Sequence, residues 1–155
     1  MKILMVCLGN ICRSPLADGL MRKKIAEKGL DLEVDSAGTS AYHVGNEPDE
    51  RTQKNALKYG IDLSSLRARQ FIKDDLNTFD LIYVMDRTNY FNVLELASSD
   101  EERDKVKLIL EELPNEPLNE VPDPYYSGDQ GFEKVYQLLD TATNAIVEHL
   151  LENAL

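Results

Sequence analysis

The chain has no tryptophan, only two cysteines and two histidines, and no long apolar run. Each shortage excludes something. Two cysteines cannot build the disulfide framework on which small secreted domains rely. Cys7 and Cys12 near one helix start, with His43 and His149 far away in the chain, give no ligand set of familiar spacing, so no metal is expected. No stretch approaches the ~20 apolar residues of a membrane span, so no membrane partner is expected. The opening Met1-Lys2 is followed by too short an apolar run to read as a secretory leader, which points to a cytoplasmic protein with reduced thiols. Positive charge is scarce too. Lys+Arg 17 against Asp+Glu 28 gives a net charge of −11, which argues against nucleic acid and anionic membranes as partners.

What remains is a globular composition, 43% apolar and 29% charged. Its 155 residues suit one domain over residues 1–155, with a core large enough to need no staple. No repeat, linker or low-complexity tract interrupts it. The most informative stretch is Met5-Val-Cys-Leu-Gly-Asn-Ile-Cys-Arg-Ser-Pro15. It follows the apolar run Ile3–Val6, which reads as a buried strand, and precedes a helical pattern from Leu16. Ser14 and Pro15 suit the N-cap and first position of that helix. Gly9 and Asn10 are the residue types that best tolerate left-handed backbone. Such a loop turns successive N–H groups inward as an anion nest, and the helix start adds donors and positive dipole. Arg13 offers a planar fork matching two oxygens of a phosphate. A helix start and a cation favour the thiolate of Cys7, and Ser14 can donate to it. A thiolate inside an oxyanion cradle suits covalent attack on phosphorus.

The segment Cys7-Leu-Gly-Asn-Ile-Cys-Arg-Ser-Pro15 resembles the signature of the low-molecular-weight protein tyrosine phosphatases. Asp35-Ser-Ala-Gly-Thr39 and Asp123-Pro-Tyr-Tyr126 agree in order and spacing, so the resemblance spans nearly the whole chain. It implies a cysteine-nucleophile phosphatase without metal or other cofactor. Its substrate would be a phosphotyrosine protein or a small phosphomonoester, with phosphate-like anions held in the loop. It implies contacts to that substrate from Leu8, Gly9, Asn10, Ile11, Cys12 and Ser14, and support of the loop near Asn10 by Ser36. It places Tyr42 at an aromatic wall of the cleft, where a plain surface tyrosine is an equal reading. It gives Cys12 a redox role, bonding to Cys7 under oxidation, beside the alternative of a small buried filler. Many relatives carry a histidine bonded to the loop asparagine; here that position holds Leu66, leaving the support of Asn10 open.

Along the chain, residues 2–7 read as strand one. A helix runs from Leu16 until Lys28-Gly29 stops it, and Leu32–Asp35 reads as strand two, delivering a turn at Ser36–Thr39. Residues 40–49 read as loop, Asp49–Tyr59 as a helix ended by Gly60, and Lys73–Asn77 as a short helix. Leu63–Phe71 has no clean period, and Arg67 and Arg69 suit a solvated face or ion pairs. Asp80–Met85 reads as strand three, and Asp86 then caps a helix with Tyr90, Phe91, Leu94 and Ala97 on one side. Ser98–Asp104 reads as loop and Val106–Leu110 as strand four. Pro114, Pro117, Pro122 and Pro124 mark an irregular segment. Phe132, Val135, Tyr136, Leu139, Ala142, Ile146 and Leu150 form the longest helical stripe, suited to core packing. Strands alternating with helices imply an α/β fold, one doubly wound domain with a four-stranded parallel sheet. Order 2-1-3-4, taken by analogy, puts the loop after strand one at the topological switch point.

A leaving phenolate needs a proton. Asp123 is the candidate acid, stiffened by Pro122 and Pro124, with Tyr125 and Tyr126 offering faces to an aromatic substrate. Three rivals remain. Arsenate reductases of this fold need further cysteines, and none follows Cys12. Protein arginine phosphatases tend to carry threonine where Ile11 stands and to lack the Tyr125-Tyr126 pair. A phosphopeptide-binding module without turnover would not need Cys7, Arg13 and Asp123 together. The protein is expected to act as a monomer, with weak self-association left open.

Overall fold

A computed structural model describes residues 1–117 and 119–154. Leu118, in the proline-marked segment, and Leu155, at the end of the expected domain, lie outside the described residues. Four parallel strands form one sheet in the order β2-β1-β3-β4, as expected. They are β1 (Lys2–Cys7), β2 (Glu33–Gly38), β3 (Leu81–Val84) and β4 (Val106–Leu108). The helices are α1 (Arg13–Lys28), α2 (Glu50–Leu57), α3 (Asp75–Thr78), α4 (Arg87–Leu94), α5 (Asp100–Asp104) and α6 (Asp129–Ala154).

The continuous apolar run of β1 is explained by its central place. Successive side chains of a strand point to opposite faces. Ile3, Met5 and Cys7 pack with Leu16 and Leu20 of α1 and Leu139 and Ile146 of α6. Leu4 and Val6 pack on the other face with Phe71, Leu76, Phe79 and Val93. Both faces are dry, as is usual for parallel sheets. The α6 stripe enters the core from Phe132 to Val147, with Leu150 partly buried. Among the described residues, no helix is long and apolar enough to cross a membrane.

Several boundaries differ from the sequence reading. Helix α1 begins at Arg13, so Ser14 lies inside it and does not cap it. The Ser14 hydroxyl is instead taken up by Cys7 and Asn10. Gly29 ends the helix at φ 61, the left-handed cap that a glycine provides. The Ser36–Thr39 stretch is mostly strand, because Ser36, Ala37 and Gly38 pair with Met5, Val6 and Cys7. Helix α2 is shorter than Asp49–Tyr59, with Asp49 as its cap. Ser98–Asp104 is not all loop: the Ser99 hydroxyl accepts from Glu102 N, and three acidic residues fill the first turn of α5. Strand β4 stops at Leu108, where a 3-10 turn takes over at Ile109–Glu112. Phe91 is 60% exposed; the buried side of α4 is formed with Val93 instead. The remaining helices keep their expected places, with α6 starting three residues before Phe132.

The loop between β1 and α1 rests directly on the end of β2. A Cβ at Gly38 would stand 2.8 Å from the Leu8 carbonyl oxygen and 3.0 Å from Asn10 N. Both obstacles are backbone and cannot swing aside. Gly38→Ala is therefore expected to destabilise the protein by about 1–3 kcal/mol, the usual cost of overpacking, read by urea denaturation. Amide resonances of residues 8–10 should shift in the folded fraction. Unchanged stability and unchanged resonances would contradict the close approach.

Candidate active site

The carboxyl ends of β1 and β3 feed the same place. Cys7 closes β1, and Met85-Asp86 follows β3. Between them opens a cleft of about 330 Å³ lined by Cys7, Leu8, Gly9, Ile11, Cys12, Arg13, Ser40, Tyr42, His43, Asp123, Tyr125 and Tyr126. Nine of these lie on two chain segments, Cys7–Arg13 and Ser40–His43, and the other three on Asp123–Tyr126 facing them.

The Cys7 sulfur lies 3.3 Å from the Asn10 N–H that donates to it and 3.0 Å from the Ser14 hydroxyl. Asn10 adopts φ 57, the left-handed conformation its position in the loop requires. Its side chain is fully engaged. Oδ1 accepts from Arg69 N at 3.0 Å, and Nδ2 donates to Ser14 at 2.8 Å and to Ser36 at 3.0 Å. Arg69 thus supplies from its backbone the support that Leu66 cannot. Its guanidinium is itself clamped by Asp75 at 3.1 Å and 3.2 Å and by Asp35 at 3.2 Å, which answers the expectation of ion pairs here. Arg67 pairs with Glu47. Asn10, Ser14 and Ser36 are buried behind the loop and do not line the cleft.

Arg13 is 2% exposed. Its Nη1 donates to Asp86 Oδ2 at 2.7 Å and to the Val121 carbonyl at 2.9 Å. Nη2 lies 3.8 Å from Asp123 Oδ2. Burial opposes the charge on Arg13, yet attraction from Cys7, Asp86 and Asp123 outweighs it and lifts the pKa above the ordinary value. The guanidinium stays charged and fixed in orientation. Asp86 was read from sequence only as a helix cap, and it does cap α4, with Oδ1 accepting from Asn89 N. Its second oxygen's role on Arg13, 73 residues away in sequence, leaves no mark in the local pattern.

The second wall of the cleft is aromatic. Asp123 Oδ1 accepts from Tyr125 N at 3.1 Å, an Asx turn that leaves Oδ2 toward Arg13. Tyr125 and Tyr126 meet edge to face at 4.9 Å, as do Tyr42 and His43 at 4.8 Å. Tyr42 and Tyr126 are both highly exposed at the rim. Sequence reading missed Arg51, which lies 5.3 Å over the Tyr125 ring and 4.7 Å over Phe132. Arg51 is forked onto Asp49, whose backbone N donates to the Ile11 carbonyl at 2.7 Å. One arginine therefore ties the tyrosine wall to the cysteine loop. His43 was missed as well; its ring edge sits where a Cβ on Gly9 would be, at 2.9 Å.

The two thiols differ in chemistry. Burial, with the negative charge of Asp49 next, pushes the Cys12 thiol up to about 12. Cys12 is therefore a neutral thiol at physiological pH, and the cleft holds a cation, a carboxylate and backbone donors around the Cys7 sulfur. Such a site can bind a tetrahedral oxyanion and attack it.

The chain matches the family model "Low molecular weight phosphotyrosine protein phosphatase" over residues 2–154. The Bacillus subtilis low molecular weight protein-tyrosine-phosphatase YfkJ is 39% identical over 148 residues, 94% of this chain and 93% of that protein. A protein tyrosine phosphatase from Entamoeba histolytica, solved with Hepes in its active site, superposes with TM-score 0.93 at 37% identity, covering 100% of this chain and 99% of that one. The Drosophila arginine phosphatase DARP superposes with TM-score 0.91 at 28% identity, covering 97% and 98%.

The Cys12 shift generates a prediction. In the folded protein Cys12 should resist iodoacetamide up to about pH 10 and react readily once denatured. Its contribution to stability is full below the ordinary thiol value of 9.0 and is lost as pH rises toward about 12. Labelling of native Cys12 at pH 8 would contradict its buried, uncharged state.

Proposed function

The chain belongs to the low molecular weight phosphotyrosine protein phosphatase family, and from that premise we propose a phosphotyrosine monoester hydrolase working through a phosphocysteine on Cys7. The observation that carries this reading is the placement of the Cys7 sulfur. It accepts from Asn10 N and bonds to Ser14 at the floor of a cleft whose walls present Arg13 and Asp123. Cys7 thiolate attacks phosphorus, forming the S–P bond as the bond to the phenolic oxygen breaks. Asp123 gives that oxygen its proton. Backbone N–H groups of residues 8–13 and Arg13 hold the three equatorial oxygens. Water then attacks the phosphocysteine while Asp123 takes up its proton; the S–P bond breaks and phosphate leaves.

The acidic surface makes Arg13 and the helix start the local attraction for an anionic substrate. Tyr42, Tyr125 and Tyr126 line the cleft and offer apolar faces to an aryl group. These faces and Ile11 favour phosphotyrosine over phosphoarginine. A cytoplasmic setting, one catalytic domain over residues 1–155 and action as a monomer complete the proposal. Chemistry of this kind needs no metal.

Hydrolysis of phosphotyrosine and phosphoarginine peptides in chelator, beside Cys7→Ser, tests it. Phosphotyrosine turnover is expected, and it should vanish in the variant. Turnover of phosphoarginine alone overturns the substrate. Binding without turnover of either overturns the enzyme reading. Asp123→Asn should lower kcat on aryl phosphates by about 10²–10⁴-fold and flatten the alkaline limb of the rate profile. An unaltered profile would remove Asp123 from the proton transfer.

A further inference from the structure

The three tyrosines of the cleft are not held alike. Tyr42 is 86% exposed and Tyr126 97%, whereas Tyr125 is 37% exposed. Tyr125 carries the Arg51 guanidinium over its ring, 5.3 Å from the centroid. Arg51 lies in the first turn of α2 and does not itself line the cleft.

The supports of Arg51 are fixed in turn. Its Nε and Nη2 donate to the two oxygens of Asp49 at 3.0 Å and 2.9 Å, and its backbone N donates to Asp49 Oδ1 at 2.8 Å. Burial works against the charge on Asp49, yet the hydrogen bonds from Arg51 outweigh it and hold that carboxyl below its ordinary pKa. Asp49 N donates to the Ile11 carbonyl at 2.7 Å. The second ring against the guanidinium, Phe132 at 4.7 Å, is buried with Ile11, Cys12 and Ala68. Both supports therefore lead to residues 11 and 12 of the cysteine loop. A guanidinium suits this post because its edge meets a carboxylate in plane while its face stays free for a ring. A lysine ammonium has no edge and face to divide between them.

We propose that Arg51 is a positioning residue that makes the site selective for aryl phosphomonoesters: footed on the cysteine loop through Asp49 and Phe132, it keeps the Tyr125 ring in place as the wall for the aryl group of a loop-bound phosphate. The inference rests on the cleft taking aryl phosphomonoesters. Arg51 leaves the anion to Arg13 and the loop, so its effect is felt only when an aryl group is attached. Without it the Tyr125 side chain must be ordered at the moment of binding, and that cost falls on aryl ligands alone. The Tyr125 N–H that donates to Asp123 belongs to the backbone and stays.

Calorimetric titration of the full chain with methylphosphonate and benzylphosphonate tests the assignment. The two probes share an anionic head and differ by a phenyl ring, and neither needs turnover. The proteins are the parent, Arg51→Met, Arg51→Lys, Tyr125→Ala and the double variant of Arg51→Met with Tyr125→Ala. Arg51→Met is expected to weaken benzylphosphonate about 3–10-fold, the scale of ordering one side chain, and to leave methylphosphonate within about twofold. Arg51→Lys keeps the charge but lacks the fork, and it should lose aryl affinity in the same way. In the Tyr125→Ala background Arg51→Met should add nothing. Equal weakening of both probes overturns the inference, because Arg51 would then support the loop through Asp49 and not the ring. Unchanged benzylphosphonate affinity, parent-like binding by Arg51→Lys, or additive effects in the double variant overturn it as well. Should Arg51→Met not fold, Arg51→Lys with the same two probes decides. A parent that binds neither probe, or binds benzylphosphonate no more tightly than methylphosphonate, overturns instead the aryl-phosphate reading on which the inference rests.

Discussion

The hydrogen bond from Arg69 N to the Asn10 side chain is the constraint on which the cleft depends. A loop that turns its N–H groups inward must spend one residue in left-handed backbone, and Asn10 does so at φ 57. Asparagine tolerates that conformation with less penalty than most residues, but the position still has to be held. The backbone of Arg69 holds it from outside, Ser14 and Ser36 from within. Arg69 is in turn fixed by Asp75 and Asp35. An ion-pair cluster at the far edge of the loop thereby sets the geometry around the sulfur, and a leucine at position 66 becomes tolerable.

Much of this was legible in the sequence. The Cys7–Pro15 stretch, the four strands and the stripe of α6 each carry a local pattern of period or residue type. Fold class and sheet order follow the reading, and Cys7, Arg13 and Asp123 do share one cleft. What escaped is what local pattern cannot encode. Asp86 looks like any helix cap until Arg13 is seen against it. Arg69 acts on Asn10 through its backbone, which every residue possesses. Arg51 reaches Tyr125 across more than 70 residues of chain. Ser14 followed cap statistics on paper, but a hydroxyl beside a cysteine sulfur has a competing use. Boundaries failed where one residue serves two demands.

Charge is distributed in keeping with this arrangement. A net −11 chain has little general attraction for an anion. Arg13 is therefore enclosed, held by a carboxylate and a carbonyl, and its field is concentrated where water is thin. Arg51 spends its charge on Asp49 and two rings at the border of the cleft. Cys12, buried and uncharged, keeps the second sulfur out of competition.

The Val121 carbonyl that Arg13 holds belongs to the same short stretch as Asp123, and Val121 N is tied to the Met85 carbonyl at 2.8 Å. The segment carrying the acid is hung from the guanidinium that an incoming oxyanion would engage. Occupancy of the cleft and order in that segment are then linked quantities, and linkage is reciprocal. Whatever steadies the 121–126 segment tightens the grip on the anion by the same factor, so a distant partner that touched only this segment would tune affinity without ever reaching the sulfur.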